Sequence, residues 1–371
     1  MSEQQLFKVT IDNITIEVAP GTSILEAARK VGGAVAPPTM CYYSKLEGSG
    51  GKCRTCLVEV SKGSEKDPRP MPKLVASCRT TVMDGMEVKN ITSEKVPDAR
   101  AGVTEFLLLN HPLDCPVCDQ AGECHLQDLG YEHGREGTRT EFPRRTFAPE
   151  DIGPYIQLHM NRCILCYRCV YTAEQLTEKR EHGVLDRGDH SRISTCIQNA
   201  LDNEFIGNVI DVCPVGALTD KTFRFKNRVW FTKPLEAHRN CSNPKCCGEV
   251  RLWMRGAEVF RVTARKDEWG EVATASNGTT GWICNECRFE KKETKDWVIE
   301  GPSNINRHSV IAQGHYAGTV GSAGKSEKLI DKVIGKEPLY TLDIHQVSEV
   351  NQPNVHLDRI AGPAHSDDFK Q

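Results

Sequence analysis

Apolar and polar residues alternate most clearly at the start of the chain. Residues 6–11 and 14–18, LFKVTI and ITIEV, alternate about Asp12-Asn13, the pattern of a β-hairpin. Pro20-Gly21 turns the chain. Ser23 with Glu26 supplies a capping box for a short helix from Ile24 to Val31, which Gly32-Gly33 ends. A Pro37-Pro38 loop and a glycine-rich stretch lead to expected strands at Leu57–Val60 and Leu74–Ser77, and Asp84-Gly85 opens a last hairpin into Met86-Glu87-Val88. These elements predict a small sheet grasping one helix. Over residues 96–109 the period changes to that of a helix, with Val96, Ala99, Val103, Phe106 and Leu107 on one face and Asn110-His111-Pro112 as the stop. Strand alternation returns in EVRLWM and EVFRVTA, a hairpin about Arg255-Gly256. Beyond Gly301 large apolar residues thin out, and one stretch, Lys325–Ile334, reads as helical.

The expected class is therefore α+β, in five segments: 1–92, 93–150, 151–236, a cysteine-bearing β segment at 237–300, and a tail at 301–371 expected to lie extended along a partner. Composition favours several small modules over one large core. Hydrophobic residues make up 39% and aromatics 6% of the 371 residues, so metal binding is a natural source of stability. A net charge of −3 argues against the broad basic face of a nucleic-acid binder. The polar start, MSEQQLFKVTID, is not that of a secretory leader, and no apolar run reaches the roughly 20 residues that span a bilayer. No repeat of solenoid length, Walker loop, G-x-G-x-x-G after a strand, or H-E-x-x-H is present.

Cysteine changes the picture most. Seventeen cysteines without an export signal point to thiols that stay free or bind metal. They fall in tight clusters with repeated x2 spacing, which ordinary buried cysteines do not produce. Cys41, Cys53, Cys56 and Cys78 form C-x11-C-x2-C-x21-C, a lengthened version of the plant-type [2Fe–2S] signature. Glycines 48, 50 and 51 let backbone N–H groups approach the sulfurs. His111, Cys115, Cys118 and Cys124 offer an imidazole and three thiols within fourteen residues, a set that zinc and an iron–sulfur cluster both accept. Cys163, Cys166 and Cys169 with a remote Cys213-Pro214 match the bacterial ferredoxin arrangement for [4Fe–4S]. Cys196 has no matching partner and reads as a plain buried thiol. Cys241, Cys246 and Cys247, then a hairpin, then Cys284 and Cys287 give five thiols from which four would form a fourth site. The layout resembles a zinc ribbon, so zinc is expected first and an altered iron–sulfur site second.

The order of these sets, in MCYYSKLEGSGGKCRTCLVEV, HPLDCPVCDQAGECHLQD and RCILCYRCV, resembles the large iron–sulfur subunit of respiratory complex I, NADH–quinone oxidoreductase, over about residues 5–290. The resemblance implies one [2Fe–2S] on Cys41, Cys53, Cys56 and Cys78, and two [4Fe–4S], one on His111, Cys115, Cys118 and Cys124, the other on Cys163, Cys166, Cys169 and Cys213. It implies an N-terminal β-grasp ferredoxin-like domain, a helical His/Cys module and a ferredoxin-like module. The implied role is electron transfer from a flavin- and NADH-binding subunit toward a ferredoxin-like subunit and quinone. The implied location is the cytoplasmic face of the inner membrane, reached only through the complex. Family members commonly continue into a long molybdopterin-oxidoreductase-like domain and some carry a further cluster on C-x2-C-x3-C. Here the sequence stops after the cysteine-bearing part and reads C-x4-C-C, so no molybdenum chemistry is expected. The related alternative is an iron–sulfur subunit of an NAD-linked hydrogenase or formate dehydrogenase; the alternative of another class is a zinc-bound scaffold without redox activity.

Overall fold

The computed structural model describes residues 6–135, 137–139, 143–148, 150–177, 182–195, 201 and 203–302. The expected tail helix at Lys325–Ile334 and Cys196 lie outside the described residues, as does nearly all of the expected tail.

The alternation at the start folds as read. Strands β1 (Phe7–Ile11) and β2 (Ile14–Val18) pair antiparallel, with Asp12 and Asn13 in left-handed conformations at φ 47° and 69°. Helix α1 spans Ile24–Val31, and both halves of the Ser23–Glu26 capping box are made. Strands β3 (Leu57–Lys62), β4 (Val75–Ala76) and β5 (Met86–Lys89) complete a five-stranded sheet in the order β2-β1-β5-β3-β4, with β1 and β5 parallel. Ile24, Ala27 and Ala28 of α1 pack on Val9, Ile11, Val58, Val60 and Val88 of the sheet. Full burial of an Ile side chain stabilises by roughly 1.5–3 kcal/mol.

Helix α2 runs Lys95–Leu108, close to the expected range, but buries a different face. Val96, Arg100 and Thr104 are buried, whereas Phe106 is 74% exposed. The helical period holds and the face differs, because a charged residue wins the inner position through its hydrogen bonds. Arg100 donates to the carbonyls of Thr55 (3.1 Å) and Leu57 (3.3 Å) and to Asn90 Oδ1 (2.7 Å), which satisfies the guanidinium inside the protein.

Helix α3 (His125–His133) packs against α2. Strands β6 (Glu150–Asp151) and β7 (Ile156–Leu158), helix α4 (Arg168–Thr177), the pair β8 (His182–Leu185) and β9 (Arg192–Thr195), helix α5 (Asn208–Val212) and strand β10 (Leu218–Asp220) follow. The sheet here is β10-β7-β6. The hairpin β12 (Glu249–Arg255) and β13 (Glu258–Ala264) turns at Gly256, φ 63°, as expected. It joins β11 (Lys233–His238) and β14 (Val298–Pro302) in the order β13-β12-β11-β14. The last strand runs two residues past the expected boundary at 300. Among the described residues, no helix is long and apolar enough to cross a membrane.

Candidate metal centres

Cys41, Cys53, Cys56 and Cys78 are all buried, with Cys41 Sγ against Cys53 and Cys78 and Cys56 Sγ against Cys78. The loop before Cys53 turns its N–H groups onto the sulfurs. Lys52 N and Cys53 N each donate to Cys41 Sγ at 3.3 Å, and Gly51 N donates to Cys78 Sγ at 3.2 Å. Gly50 and Gly51 have φ of 100° and 78°, a region costly for any residue with a Cβ, and a Cβ on Gly50 would stand 3.3 Å from Cys78 Sγ. Such N–H···S bonds favour electron-rich sulfur. Four thiols with this donor cradle fit a [2Fe–2S] cluster.

His111 stands just past the end of α2, its N–H bonded to Leu108 O at 3.0 Å. Its Nδ1 is buried without a hydrogen-bond partner, an orphaned ring nitrogen of the kind a metal satisfies. Burial, helped by the Arg162 charge, lowers its pKa to about 4, so the imidazole is neutral and able to ligate. Cys118 and Cys124 are buried and Cys115 is exposed. Burial raises Cys124 to about 12, so a metal must displace its proton on binding. Gly216 presses on this set: a Cβ there would overlap Cys118 Sγ.

Cys163, Cys166, Cys169 and Cys213 line one apolar cavity with Leu158, Ile193 and Leu218. Leu165 and Tyr167 hold left-handed conformations, φ 52° and 65°, which fold the x2 spacings tightly enough to turn each thiol inward. Strain of about 1–3 kcal/mol at each such residue is typical of a functional turn. Four thiols around one apolar cavity fit a [4Fe–4S] cluster.

The fourth group is geometrically distinct. Sγ atoms of Cys241, Cys246, Cys284 and Cys287 all lie within 4.8 Å of one another, and among the described residues no other three or more His, Cys, Asp or Glu donors do so. The separations are 3.6 Å for Cys241–Cys284, 3.6 Å for Cys241–Cys287 and 3.9 Å for Cys246–Cys287. Hydrogen bonds from Cys284 and Cys287 lower Cys246 to about 4, the behaviour of a thiolate among thiols. Cys247 is the fifth thiol, and it stands apart, its Sγ against the backbone of Glu249 at 3.4 Å.

Buried arginines tie these loops together, none of them among the site residues predicted from sequence. Arg162, beside Cys163, pairs with Asp114, beside Cys115, at 2.9 Å. Arg261 of β13 grips Glu123, beside Cys124, at 2.5 and 2.9 Å. Glu271, 1% exposed, accepts from Arg29 at 2.8 Å and from Ser44 N at 2.7 Å, docking the 267–272 turn on the loop after Cys41. Arg288, one residue after Cys287, pairs with Asp211 of α5 at 2.5 Å, two residues before Cys213. Charges beside the ligand cysteines thus register one centre against the next.

Comparison with known proteins agrees with the order of the sets. A 2Fe-2S iron-sulfur cluster binding domain matches residues 4–93, the NADH-ubiquinone oxidoreductase-G iron-sulfur binding region matches 100–139, and the ferredoxin-like domain of NADH-quinone oxidoreductase subunit 3 matches 153–219. The NADH-quinone oxidoreductase G subunit of Rickettsia bellii is 41% identical over 301 residues, covering 80% of this chain and 40% of that protein. The NADH-ubiquinone oxidoreductase 75 kDa subunit of Reclinomonas americana is 40% identical over 285 residues, 76% of this chain and 38% of its own. A solved structure of an NAD+-reducing [NiFe]-hydrogenase superposes with a TM-score of 0.52 at 29% identity, over 60% of this chain and 91% of that one. The chain spans about two fifths of the length of the curated relatives it matches. With its mixed α/β modules and three iron–sulfur domains, the chain is similar over about four fifths of its length to the NADH–quinone oxidoreductase G subunit and its 75 kDa counterpart.

Proposed function

We propose that this chain is an electron-transfer subunit of an NADH–quinone oxidoreductase, holding one [2Fe–2S] and two [4Fe–4S] clusters between a flavin- and NADH-binding subunit and a ferredoxin-like subunit. One observation carries the reading. Each of the three matched domains encloses one complete four-donor set: Cys41, Cys53, Cys56 and Cys78; His111, Cys115, Cys118 and Cys124; Cys163, Cys166, Cys169 and Cys213. The clusters supply one-electron redox chemistry when bound. The chain's own residues bind them through thiolates and one neutral imidazole, exclude water with the apolar wall of Leu158, Ile193 and Leu218, and fix the loops through Arg162–Asp114 and Arg261–Glu123. The module boundaries near 92, 150, 236 and 300, and a place on the cytoplasmic side of the membrane, belong to the same proposal.

At the fourth group we propose one zinc ion on Cys241, Cys246, Cys284 and Cys287. A tetrahedral ion with Zn–S bonds of about 2.3 Å needs sulfurs about 3.8 Å apart, against the 3.6–3.9 Å found. A four-iron cube puts a separate iron under each thiolate and so requires a wider set.

The hydrogenase subunit is the second reading, favoured by the 91% coverage of that solved chain; the higher identity to complex I subunits outweighs it. Anaerobic measurement of iron, sulfide and zinc on the isolated complex tests the whole proposal. About ten irons per chain are expected from the three clusters, with one zinc and with quinone-reductase subunits co-purifying. Zinc without sulfide would refute it and leave the scaffold reading.

A further inference from the structure

Arg168 lies between Cys166 and Cys169 and is 3% exposed. Its guanidinium reaches across to the first centre: Nη2 donates to Tyr42 O at 2.7 Å and to Thr39 O at 3.5 Å, on either side of Cys41. Nη1 donates to Val212 O at 3.4 Å, beside Cys213. The group sits over the Tyr43 ring at 5.1 Å, and its Nε is buried with no partner. Three other buried arginines near the centres have a carboxylate: Asp114 for Arg162 at 2.9 Å, Glu123 for Arg261 at 2.5 Å, Asp211 for Arg288 at 2.5 Å. Arg168 contacts only carbonyls and a ring among the described residues.

A buried cation without a counter-charge is strongly disfavoured, so negative charge must lie close by. The donors around Arg168 are thiols, and thiolate-bound clusters are anionic. We propose that Arg168 is the counter-charge shared by the Cys41–Cys78 and Cys163–Cys213 centres, a positioning residue that raises the reduction potential of both. The inference rests on reading those sets as iron–sulfur clusters. Each centre takes up one electron with no bond to Arg168 formed or broken. The added negative charge is stabilised by a cation already in place, so the reduced state gains more than the oxidised one. Arg100 is the internal contrast. It is 5% exposed and also lacks a carboxylate partner within ion-pair distance, but it touches only the first centre's surroundings, through Thr55 O and Leu57 O.

The test is an EPR-monitored redox titration of the isolated complex carrying Arg168→Met, Arg168→Lys or Arg100→Met, with iron and sulfide counted in each. For Arg168→Met the reduced-to-oxidised ratio at a fixed potential is expected to fall about tenfold at both flanking centres, equivalent to about 59 mV for a one-electron couple. The His111 centre should hold its midpoint, Arg168→Lys should recover most of the shift, and Arg100→Met should leave the Cys163–Cys213 centre unmoved. Unchanged midpoints in Arg168→Met, an equal fall at all three centres, or a lysine variant as shifted as methionine would each overturn the inference. If Arg168→Met fails to retain iron, Arg168→Gln against Arg168→Lys carries the same comparison. A wild-type complex without iron and sulfide would overturn the cluster reading instead.

Discussion

Replacing Cys284 with serine should remove the fourth metal and weaken a cluster that Cys284 does not touch. Three of the sulfur–sulfur separations in this group are 3.6–3.9 Å, which matches one tetrahedral ion. Structural zinc contributes roughly 10–16 kcal/mol of apparent binding energy in small domains, and that energy is folding energy. The segment that carries Cys284 and Cys287 also buttresses α5. Asn208 donates to Ile283 O at 2.9 Å and accepts from Ile283 N at 3.2 Å, and Arg288 pairs with Asp211. Because α5 ends at Val212, next to Cys213, loosening 283–288 frees the remote ligand of the Cys163–Cys169 set. The expected result for Cys284→Ser is loss of the zinc, a fall in unfolding free energy of up to roughly 10–16 kcal/mol because the whole ion goes, and partial loss of the four-cysteine EPR signal. Cys247→Ser, whose sulfur faces the Glu249 backbone, should keep the full zinc content. Zinc-edge absorption should report four sulfurs at about 2.3 Å. About fourteen irons and no zinc per chain would sink the single-ion reading, as would zinc loss from Cys247→Ser equal to that from Cys284→Ser.

Three other substitutions probe the remaining sites. Gly216→Ala drives a Cβ into Cys118 Sγ and should abolish the signal of the His-ligated centre while the [2Fe–2S] signal persists; EPR at matched iron content decides, and an intact His-centre signal counts against the placement of Cys118. His111→Cys replaces a neutral imidazole, held near pKa 4 by burial, with a thiolate, so that centre's midpoint should fall; an unchanged or higher midpoint in a redox titration contradicts this. Glu271→Gln breaks the ion pair with Arg29, whose two side chains are 11% and 2% exposed. The cost should sit near the lower end of buried pairs, about 3 kcal/mol, because Arg29 keeps its stacking on Tyr42 and Trp269. A urea melt with a loss under about 1 kcal/mol, the range of exposed pairs, would show that the 267–272 turn is not held by that charge.

What is legible in the sequence is local, and the reason is physical. The Asp12-Asn13 turn, the Ser23–Glu26 box and the x2 cysteine spacings are decided within a few residues, where backbone geometry leaves little choice. The buried face of α2 departs from the apolar pattern because periodicity cannot anticipate that Arg100 will find three acceptors on other elements. Cys246 and Cys247 are adjacent, and neighbouring side chains on an extended backbone point to opposite sides, so spacing alone allows either one to face the metal. The contacts between centres are hidden for a stronger reason. Arg162 meets Asp114 across 48 residues, Arg168 meets Tyr42 across 126, and Arg261 meets Glu123 across 138. Each arginine, or the residue it meets, is within two positions of a candidate ligand, which is a signal the sequence does contain. A charge beside a metal-binding cysteine is costly to bury unless it is used, so arginines and acids flanking ligand cysteines are where contacts between neighbouring centres should be sought first.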